Sequence, residues 1–319
     1  MHIPEAVNMP LPDNDVYGPG PRVPMYIISP WSRGGWVNSQ NFDHTSVLQF
    51  LEARFGVKET NISPYRRAML GDLTSAFNFK EPNTEVLPTL AGKKTRQDAD
   101  TLRSNQEKLP QISVPANQVM PKQATGYQPS RALPYRLHTT AHVDSQNVGL
   151  VFANTGTAGC VFHVYNKLDL SRIPRRYAVE AGKQLNDTWT VNTDGLYDLW
   201  VLSNNGYHRH FVGNTLSKNK AEIRVCYDVA NGNVYVDIMN QSATELTFII
   251  TPKAYFDSTK AMQVMIAAGK EQQVHWDLTD SGRWYDFEVT IKEDANWLRR
   301  FAGRVETGEH GITDPAMGL

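Results

Sequence analysis

The 319-residue sequence has no long apolar run, little net charge and only two cysteines. No stretch of 18 apolar residues occurs, so a membrane-spanning helix is not expected. The formal net charge is -1, and a nucleic-acid partner, which needs a basic surface, is therefore not indicated. Cys160 and Cys226 allow one disulfide at most and leave its presence open. The first residues, MHIPEAVNMPLPDND, contain no apolar segment of a secretory signal, so no signal peptide is expected.

Common catalytic signatures are also missing. The sequence contains no G-x-S-x-G elbow, no phosphate-binding P-loop and no H-E-x-x-H zinc motif. Hydrophobic residues make up 40% of the chain and charged residues 20%, which is typical of a globular rather than a disordered protein. The length allows two or three domains of ordinary size.

The first region, residues 1–79, has an α/β pattern. VPMYIIS, residues 23–29, is a short apolar run typical of a strand buried on both faces. A Gly/Pro-rich loop, SPWSRGGW, follows it. A second predicted helix begins at Ser63, with Pro64 in its first position, and carries Met69, Leu70, Leu73 and Phe77. One strand and two helices do not make a complete domain, so this region is predicted to be the end of a larger sheet.

The stretch NFDHTSVLQFLEARFG, residues 41–56, predicts the first helix, with an S-x-x-Q capping box at Ser46 and Gln49 and a stop at Gly56. Asp43 and His44 stand before it, where unpaired N–H groups and the helix dipole favour an anion. Two interpretations are open. Asp43 is a simple cap and His44 a loop residue, or the pair belongs to an anion-binding site.

The second region, residues 80–131, is predicted to be a linker. It holds six of the 18 prolines and polar runs such as GKKTRQDAD. One helix is expected in TRQDADTLRSNQEKL, capped by Thr95, with little apolar face. A solvated connector that wraps over its neighbours is the simplest interpretation.

From residue 132 the pattern becomes strand-like and then repeats. AGKQLNDTWTVNTDGLYDLWV is echoed by AGKEQQVHWDLTDSGRWYDFEV about 87 residues later. The matched pairs are Gly182 and Gly269, Trp189 and Trp276, Asp198 and Asp286, and Gly213 and Gly303. We therefore expect two β-sandwich repeats with matching strand order, residues 132–215 and 221–305, followed by a tail, residues 306–319.

Histidines in this β region do not form a convincing metal site. His208 and His210 share one face of a predicted strand, but the second repeat carries Arg299 and Arg300 there instead. His138 and His142 are four residues apart, a spacing that converges only on a helix. No catalytic constellation is expected in the repeats.

Several long segments together carry a resemblance to a known family. These are RVPMYIISPWSRGGWVNSQNFDHTSVLQFLEARFG, NISPYRRAMLGDLTSAFNF, RALPYRL and the terminal RRFAGRVETGEHGITDPAMG. They closely resemble the C-terminal part of bacterial phosphocholine-specific phospholipase C, a phosphoesterase with an alkaline-phosphatase-like fold. The resemblance implies the C-terminal fragment of an α/β domain followed by two tandem all-β sandwich domains.

The same resemblance implies the chemistry. It is hydrolysis of phosphatidylcholine to diacylglycerol and phosphocholine, through metal-assisted phosphoryl transfer to a Ser or Thr. It also implies a divalent metal of unspecified identity, a phospholipid or membrane surface as partner, and a secreted or periplasmic location. The family's E-N-R motif, its nucleophile and its Asp-Glu-His-Gly-Gly-type motif do not occur in these 319 residues. We therefore expect a truncated product or one portion of a longer enzyme, inactive alone and without its own metal.

Site residues are carried over from the matching D-H-T-S and S-P-W motifs. His44 is implied to lie at or beside the active site, with Asp43 orienting it or capping the helix. Trp31 and Trp36 are candidates for a wall facing the choline, because a quaternary ammonium favours aromatic faces. Ordinary packing is the alternative for both tryptophans. Arg33, like Arg22, is a candidate phosphate contact or a member of a loop salt bridge.

A second function class also fits the sequence. The tandem β repeats are alternatively a non-catalytic module that binds lipid, an envelope surface or a protein partner. Trp297, Arg299 and Arg300 would suit such an interface if they were exposed at the repeat tips. Core packing of Trp297 is the opposing interpretation.

Overall fold

A computed structural model describes residues 23–81, 84, 86, 89, 92, 94–119 and 124–317 of the chain. Within these residues it is mainly β-sheet, with few helices. The helices are α1 His44–Phe55, α2 Pro64–Met69 and α3 Arg96–Glu107, with short 3-10 turns at Thr74–Ala76 and Ser258–Lys260. The strands up to residue 214 are β1 Pro129–Ser130, β2 Leu137–Val143, β3 Asn147–Asn154, β4 Cys160–Asn166, β5 Arg175–Val179, β6 Lys183–Thr190, β7 Leu196–Leu202 and β8 His208–Asn214. The later strands are β9 Ala221–Asp228, β10 Asn233–Asn240, β11 Leu246–Ala254, β12 Met262–Ile266, β13 Glu271–Trp276, β14 Trp284–Ile291, β15 Asp294–Arg304 and β16 Gly311–Ile312.

The two halves of the β region have the same topology. In the first half, β2-β3-β6 form one sheet and β5-β4-β7-β8 lie in another. In the second half, β9-β10-β13 and β12-β11-β14-β15 repeat that order strand for strand. The matching strand order expected from the sequence repeat is thus confirmed. Antiparallel pairing of β8 with β15 then joins the two four-stranded halves into one eight-stranded sheet.

Each half has its own apolar core between its two sheets. Burial alternates along β3 and β10, as expected for strands with one face on a core. Val148, Leu150 and Phe152 of β3 are fully buried, and so are Val234 and Val236 of β10. The period-two pattern in the sequence therefore identifies the core-facing residues of both halves.

A buried asparagine closes the equivalent corner of each half. Asn154 donates from its side-chain nitrogen to the carbonyl oxygens of Ala158, at 2.8 Å, and Val179, at 3.2 Å. Asn240 makes the corresponding bonds to Thr244, at 2.9 Å, and Ile266, at 2.8 Å. Each side chain thus joins the loop that follows its own strand to the last residue of another strand, β5 in the first half and β12 in the second.

Two buried arginines lie where the halves meet, and they are compensated differently. Arg299 on β15 is fully buried and donates to the Glu222 carboxylate, the shorter contact being 2.6 Å. Arg209 on β8 is also buried, but it donates to the hydroxyls of Tyr285 and Tyr227.

Within the described part of the chain, Arg299 has a carboxylate partner and Arg209 has none, because one pair of equivalent positions differs between the two halves. Leu137 pairs with Asn154 as Ala221 pairs with Asn240, so the position after each, His138 and Glu222, is equivalent in the two halves. Burial and the positive charge of Arg209 lower the pKa of His138 to about 4. The imidazole is therefore neutral at pH 7, and among the described residues no carboxylate forms a salt bridge with Arg209.

The predicted strand at residues 23–29 is wrong for this structure. The segment has no strand hydrogen bonding, and Val23, Met25, Tyr26 and Ile28 are between 54% and 96% exposed. A buried strand needs partners on both edges and cover on both faces. The described residues provide neither for this segment.

Helix α2 has the predicted start but a shorter course than expected. Ser63 caps it and Pro64 is its first residue, as predicted. The helix ends at Met69, however, because Leu70 already has an extended backbone (φ -117°, ψ 134°), and a separate 3-10 turn follows at Thr74–Ala76. The prediction of one helix reaching residue 77 is therefore wrong.

The N-terminal segment rests on the outer face of the eight-stranded sheet. Tyr65 and Met69 of α2 pack against Val161 of β4 and its neighbour on β5. The Gly159 N–H donates to the Ala68 carbonyl at 2.8 Å, at the beginning of β4. This contact places α2 at the end of the sheet where β4 begins.

The connector helix lies outside the core, and the two cysteines are unpaired. Helix α3 has the predicted Thr95 cap, in a reciprocal capping box with Asp98, and none of its residues is buried. Cys160 and Cys226 are both free thiols, the first buried and the second partly exposed. The disulfide that the sequence left open is therefore absent.

Candidate functional site

The N-terminus of α1 is the place where the structure puts the acid–imidazole pair. Asp43 is the cap, and its carboxylate accepts from the Thr45 N–H at 2.8 Å and from the Thr45 hydroxyl at 2.6 Å. Ser46 returns the bond, accepting from the Asp43 N–H at 3.0 Å. The predicted box of Ser46 and Gln49 is wrong by three positions, because an aspartate is an equally good cap and comes first in the chain. Gly56 ends the helix in a left-handed conformation, as predicted.

Asp43 also joins α1 to α2. Its second carboxylate oxygen forms an ion pair with Arg66 of α2. Both oxygens of Asp43 are therefore used, one by the cap and one by the guanidinium. The helix cap and the ion pair with Arg66 together explain why an aspartate stands here, and a bound metal is not needed for that explanation.

His44 is the first residue of α1 and is exposed. In the part of the chain that the structure describes, no hydrogen bond or ring contact holds its imidazole. The side chain therefore stands free beside the positive end of the helix, where an anion would gain from the dipole. This geometry is compatible with an anion contact and adds no stability of its own.

A second ion pair fixes the two helices. Arg67 of α2 makes a two-pronged contact with Glu52 of α1, with N···O distances of 2.8 and 2.9 Å. The hydrogen bonds from Arg67 lower the pKa of Glu52 to about 2. The sequence patterns did not identify this pair, because its members lie on different helices.

The Glu52–Arg67 pair predicts a specific acid response. The Glu52 pKa is depressed from 4.5 in the folded state, so its contribution to stability is full above about pH 4.5 and is lost as the pH falls towards 2. We expect the side-chain carboxyl of Glu52 to titrate by NMR well below pH 4. The stability difference between wild type and Glu52→Gln should shrink over the same interval. A midpoint near 4.5 would contradict the pairing.

The S-P-W loop is tied to α1 by aromatic contacts. Trp31 lies 6.0 Å from Phe79, Phe79 stacks on Phe77 at 5.1 Å, and Phe77 stacks on Phe50 of α1 at 5.2 Å. The Trp31 carbonyl also accepts from the Asn78 N–H at 2.7 Å. Trp31 is thus half-buried, as packing alone would make it.

Trp36 and the two candidate arginines lie in different surroundings. The guanidinium of Arg131 sits 4.3 Å from the Trp36 ring, and His310 lies 4.9 Å from it. Trp36 therefore already faces a cation, which belongs to the chain itself. Arg33 is half-buried and engaged in contacts, whereas Arg22 lies outside the described residues.

The interface considered at Trp297, Arg299 and Arg300 does not form, and the opposing interpretation, core packing of Trp297, is confirmed. Trp297 is 4% exposed and Arg299 is fully buried, so neither can touch a partner. Arg300 is held by Asp286 through two hydrogen bonds of 2.8 and 2.6 Å. The alternation of β15 turns the first two side chains inward, which their polarity in sequence does not reveal.

The described residues do not fit a catalytic metal shell. They contain no group of three or more His, Cys, Asp or Glu side chains that could hold an ion. His210 is bound to Asp198 at 2.6 Å, and burial lowers the pKa of His208 to about 3.

None of the helices in this part of the chain is long and apolar enough to cross a membrane.

The chain is similar to several bacterial phospholipases C. It is 46% identical over 314 residues to the non-hemolytic phospholipase C of Pseudomonas aeruginosa, covering 96% of this chain and 45% of that protein. It is 43% identical over 318 residues to the non-hemolytic phospholipase C of Burkholderia pseudomallei, covering 94% and 44%. The hemolytic phospholipase C of Pseudomonas aeruginosa is 34% identical over 334 residues, covering 95% and 45%. The chain thus spans a little under half the length of these relatives.

Family matches follow the structural division. Residues 2–58 match the phosphoesterase family. Residues 129–214 and residues 221–304, which contain the two equivalent sets of strands, each match the C-terminal domain of bacterial phospholipase C. Together these last two matches cover more than half of the sequence, and the chain therefore belongs to the bacterial phospholipase C C-terminal domain family.

Proposed function

We propose that this chain is the C-terminal portion of a phospholipase C that hydrolyses phosphatidylcholine to diacylglycerol and phosphocholine. The observation that carries the proposal is the continuous match of 96% of the chain to 45% of a non-hemolytic phospholipase C. The exposed helix end with its free His44 supports it, since that end suits a phosphoryl group.

We infer the following division of labour along the chain. Residues 1–79 are the end of an alkaline-phosphatase-like catalytic domain, residues 80–131 a linker, residues 132–215 and 221–305 the two sandwich domains, and residues 306–319 a tail. Exposed apolar side chains on α1 support the first assignment. Val47, Leu51 and Phe55 are 45%, 44% and 66% exposed, as expected of a helix whose covering sheet lies elsewhere in the enzyme.

The site roles follow from this division. His44 contacts the phosphoryl group or orients a residue that does, while Asp43 caps the helix and braces Arg66. Arg33 contacts phosphate, and Trp31 and Trp36 contribute to the choline side of the site. The nucleophile and a divalent metal come from the other part of the enzyme, which we place outside the cytoplasm, secreted or periplasmic.

A chimera tests the proposal directly. The chain replaces the matching 45% of the Pseudomonas aeruginosa non-hemolytic phospholipase C. We expect the chimera to hydrolyse p-nitrophenyl phosphorylcholine and phosphatidylcholine, and the 319-residue chain alone to hydrolyse neither with any added divalent metal.

Two results would contradict the proposal. Turnover by the purified chain alone, surviving removal of contaminating enzymes, would show that it carries its own nucleophile. A folded but inactive chimera would favour the non-catalytic alternative, in which the tandem β domains serve binding only.

A further inference from the structure

The connection between β4 and β5 exposes apolar side chains that the fold does not need. Residues 167–174 read KLDLSRIP, and Leu168, Leu170 and Ile173 are 55%, 65% and 54% exposed. A contiguous apolar patch on a protein surface is a candidate interaction site, and these three side chains share one loop.

Two further aliphatic residues lie at the same end of the sandwich. Leu196 begins β7 and is 42% exposed, and Leu216 follows β8 and is 61% exposed. The Lys167 N–H donates to the Asp198 carbonyl at 2.8 Å, which places the β4 end beside the β7 start. We call Leu168, Leu170, Ile173, Leu196 and Leu216 the apolar tip.

Basic side chains surround the apolar tip. Arg172 has a 77% exposed side chain and only a 3.6 Å contact with Asp169. Lys167 places its ammonium 4.1 Å from the Trp200 ring, and Lys218 is exposed beside Leu216. The acids near these loops are the half-buried Asp169, the exposed Asp194, and Asp294, which accepts from the Ser217 hydroxyl at 2.6 Å. Cations around an aliphatic cluster match a surface with phosphates above hydrocarbon.

The second half of the β region is an internal control. Its β11–β12 connection directs Phe256 onto the core, and Tyr255 donates to Asp314 at 2.8 Å. Trp284, at the position of Leu196, is 3% exposed. The same topology therefore forms without an apolar tip, so the exposed residues of the first half are not required for folding.

The tip also points away from the N-terminal segment. Helix α2 contacts the sheet at Gly159 and Val161, at the beginning of β4, whereas the tip follows the end of that strand. The described residues of the N-terminal segment therefore leave the tip uncovered.

We propose that the apolar tip docks the protein on a phospholipid bilayer, inserting its aliphatic side chains below the headgroups while Lys167, Arg172 and Lys218 meet lipid phosphates. The choice of a bilayer over a protein partner rests in part on the proposed function. It rests also on shape, because the aliphatic residues come from separate loops at a strand end, with cations at their margin.

Vesicle sedimentation of the 319-residue chain tests the docking. We expect binding to phosphatidylcholine vesicles that strengthens when phosphatidylglycerol is added. The triple variant L168S, L170S and I173S should lower the partition coefficient about tenfold or more, with an unchanged melting temperature because these side chains are exposed. The matched control is Met265→Ser, which removes a 60% exposed side chain from edge strand β12 and should bind like wild type.

A probe at the tip separates insertion from mere adhesion. An environment-sensitive fluorophore on Leu170→Cys, in a Cys226→Ser background, should shift to the blue when vesicles are added. An unshifted probe, a triple variant that binds like wild type, or tip-dependent dimerisation in size-exclusion chromatography would overturn the proposal. Neither measurement depends on catalysis. An inactive chimera would therefore not contradict the docking proposal, and an active chimera would not support it if vesicle binding failed.

Discussion

Glu222→Gln is expected to lower the free energy of unfolding by about 3–5 kcal/mol, the range for removing one member of a buried ion pair. The substitution keeps the shape of the side chain and removes its charge. Arg299 is then left fully buried without a counter-charge, and its partners are the new amide oxygen, the Tyr197 hydroxyl at 2.9 Å and backbone carbonyls. Burial of an uncompensated charge is the physical reason for the large effect.

The measurement is urea or thermal unfolding of wild type and variant at pH 7. Asp100→Asn is the control, since it removes a carboxylate from the exposed ion pairs of α3 and should change stability by less than about 1 kcal/mol. A Glu222→Gln protein as stable as the control would show that neutral hydrogen-bond partners suffice for Arg299. Arg209 in the other half is held by neutral partners, so the two buried arginines can be compared directly.

His44→Ala in the chimera is expected to cut kcat/KM for p-nitrophenyl phosphorylcholine by about 10²–10⁴, the scale for a positioned acid–base or electrostatic residue. Stability should change little, because His44 is exposed and its ring has no partner among the described residues. Asp43→Asn should have the milder kinetic effect. Asparagine is still a good cap, although it leaves Arg66 without its charged partner.

Kinetics and melting must be measured together on these variants. His142→Ala, which removes an exposed histidine from β2, is the matched control and should leave both unchanged. If the pair only stabilises the helix, both Asp43 and His44 variants will show near-normal turnover, with a lower melting temperature for Asp43→Asn. Wild-type turnover in His44→Ala would end the active-site interpretation.

The features that could be predicted are those with local causes. Ser63, Thr95 and Gly56 bond to the nearest turn of backbone and Pro64 fits the first turn through its fixed φ, so these local patterns predict the helix ends correctly. The capping box at α1 was misplaced because Asp43 and Ser46 both satisfy the local rule. Only the observed backbone distinguishes the cap from the third helical residue.

The failures concern segments whose environment comes from far along the chain. Residues 23–29 have the composition of a buried strand, yet they are exposed because no partner strand reaches them within the described residues. The sequence leaves a surface and a core interpretation open for Trp297, and only the structure shows that both it and Arg299 are core residues. The apolar tip gave no signal either, since KLDLSRIP has the alternation of an ordinary short strand.

The amino-acid sequence alone determined the duplicated β unit, its period-two cores and most helix boundaries, because these depend on alternation and short-range hydrogen bonds. The tertiary structure decided which charges are buried and which apolar residues are left outside. Arg299 contacts Glu222, and Arg209 contacts tyrosine hydroxyls, at the place where β8 and β15 pair, although these strands lie some 90 residues apart in the chain. Burial is a property of what the rest of the chain places beside a residue, and no pattern of neighbours in sequence records it.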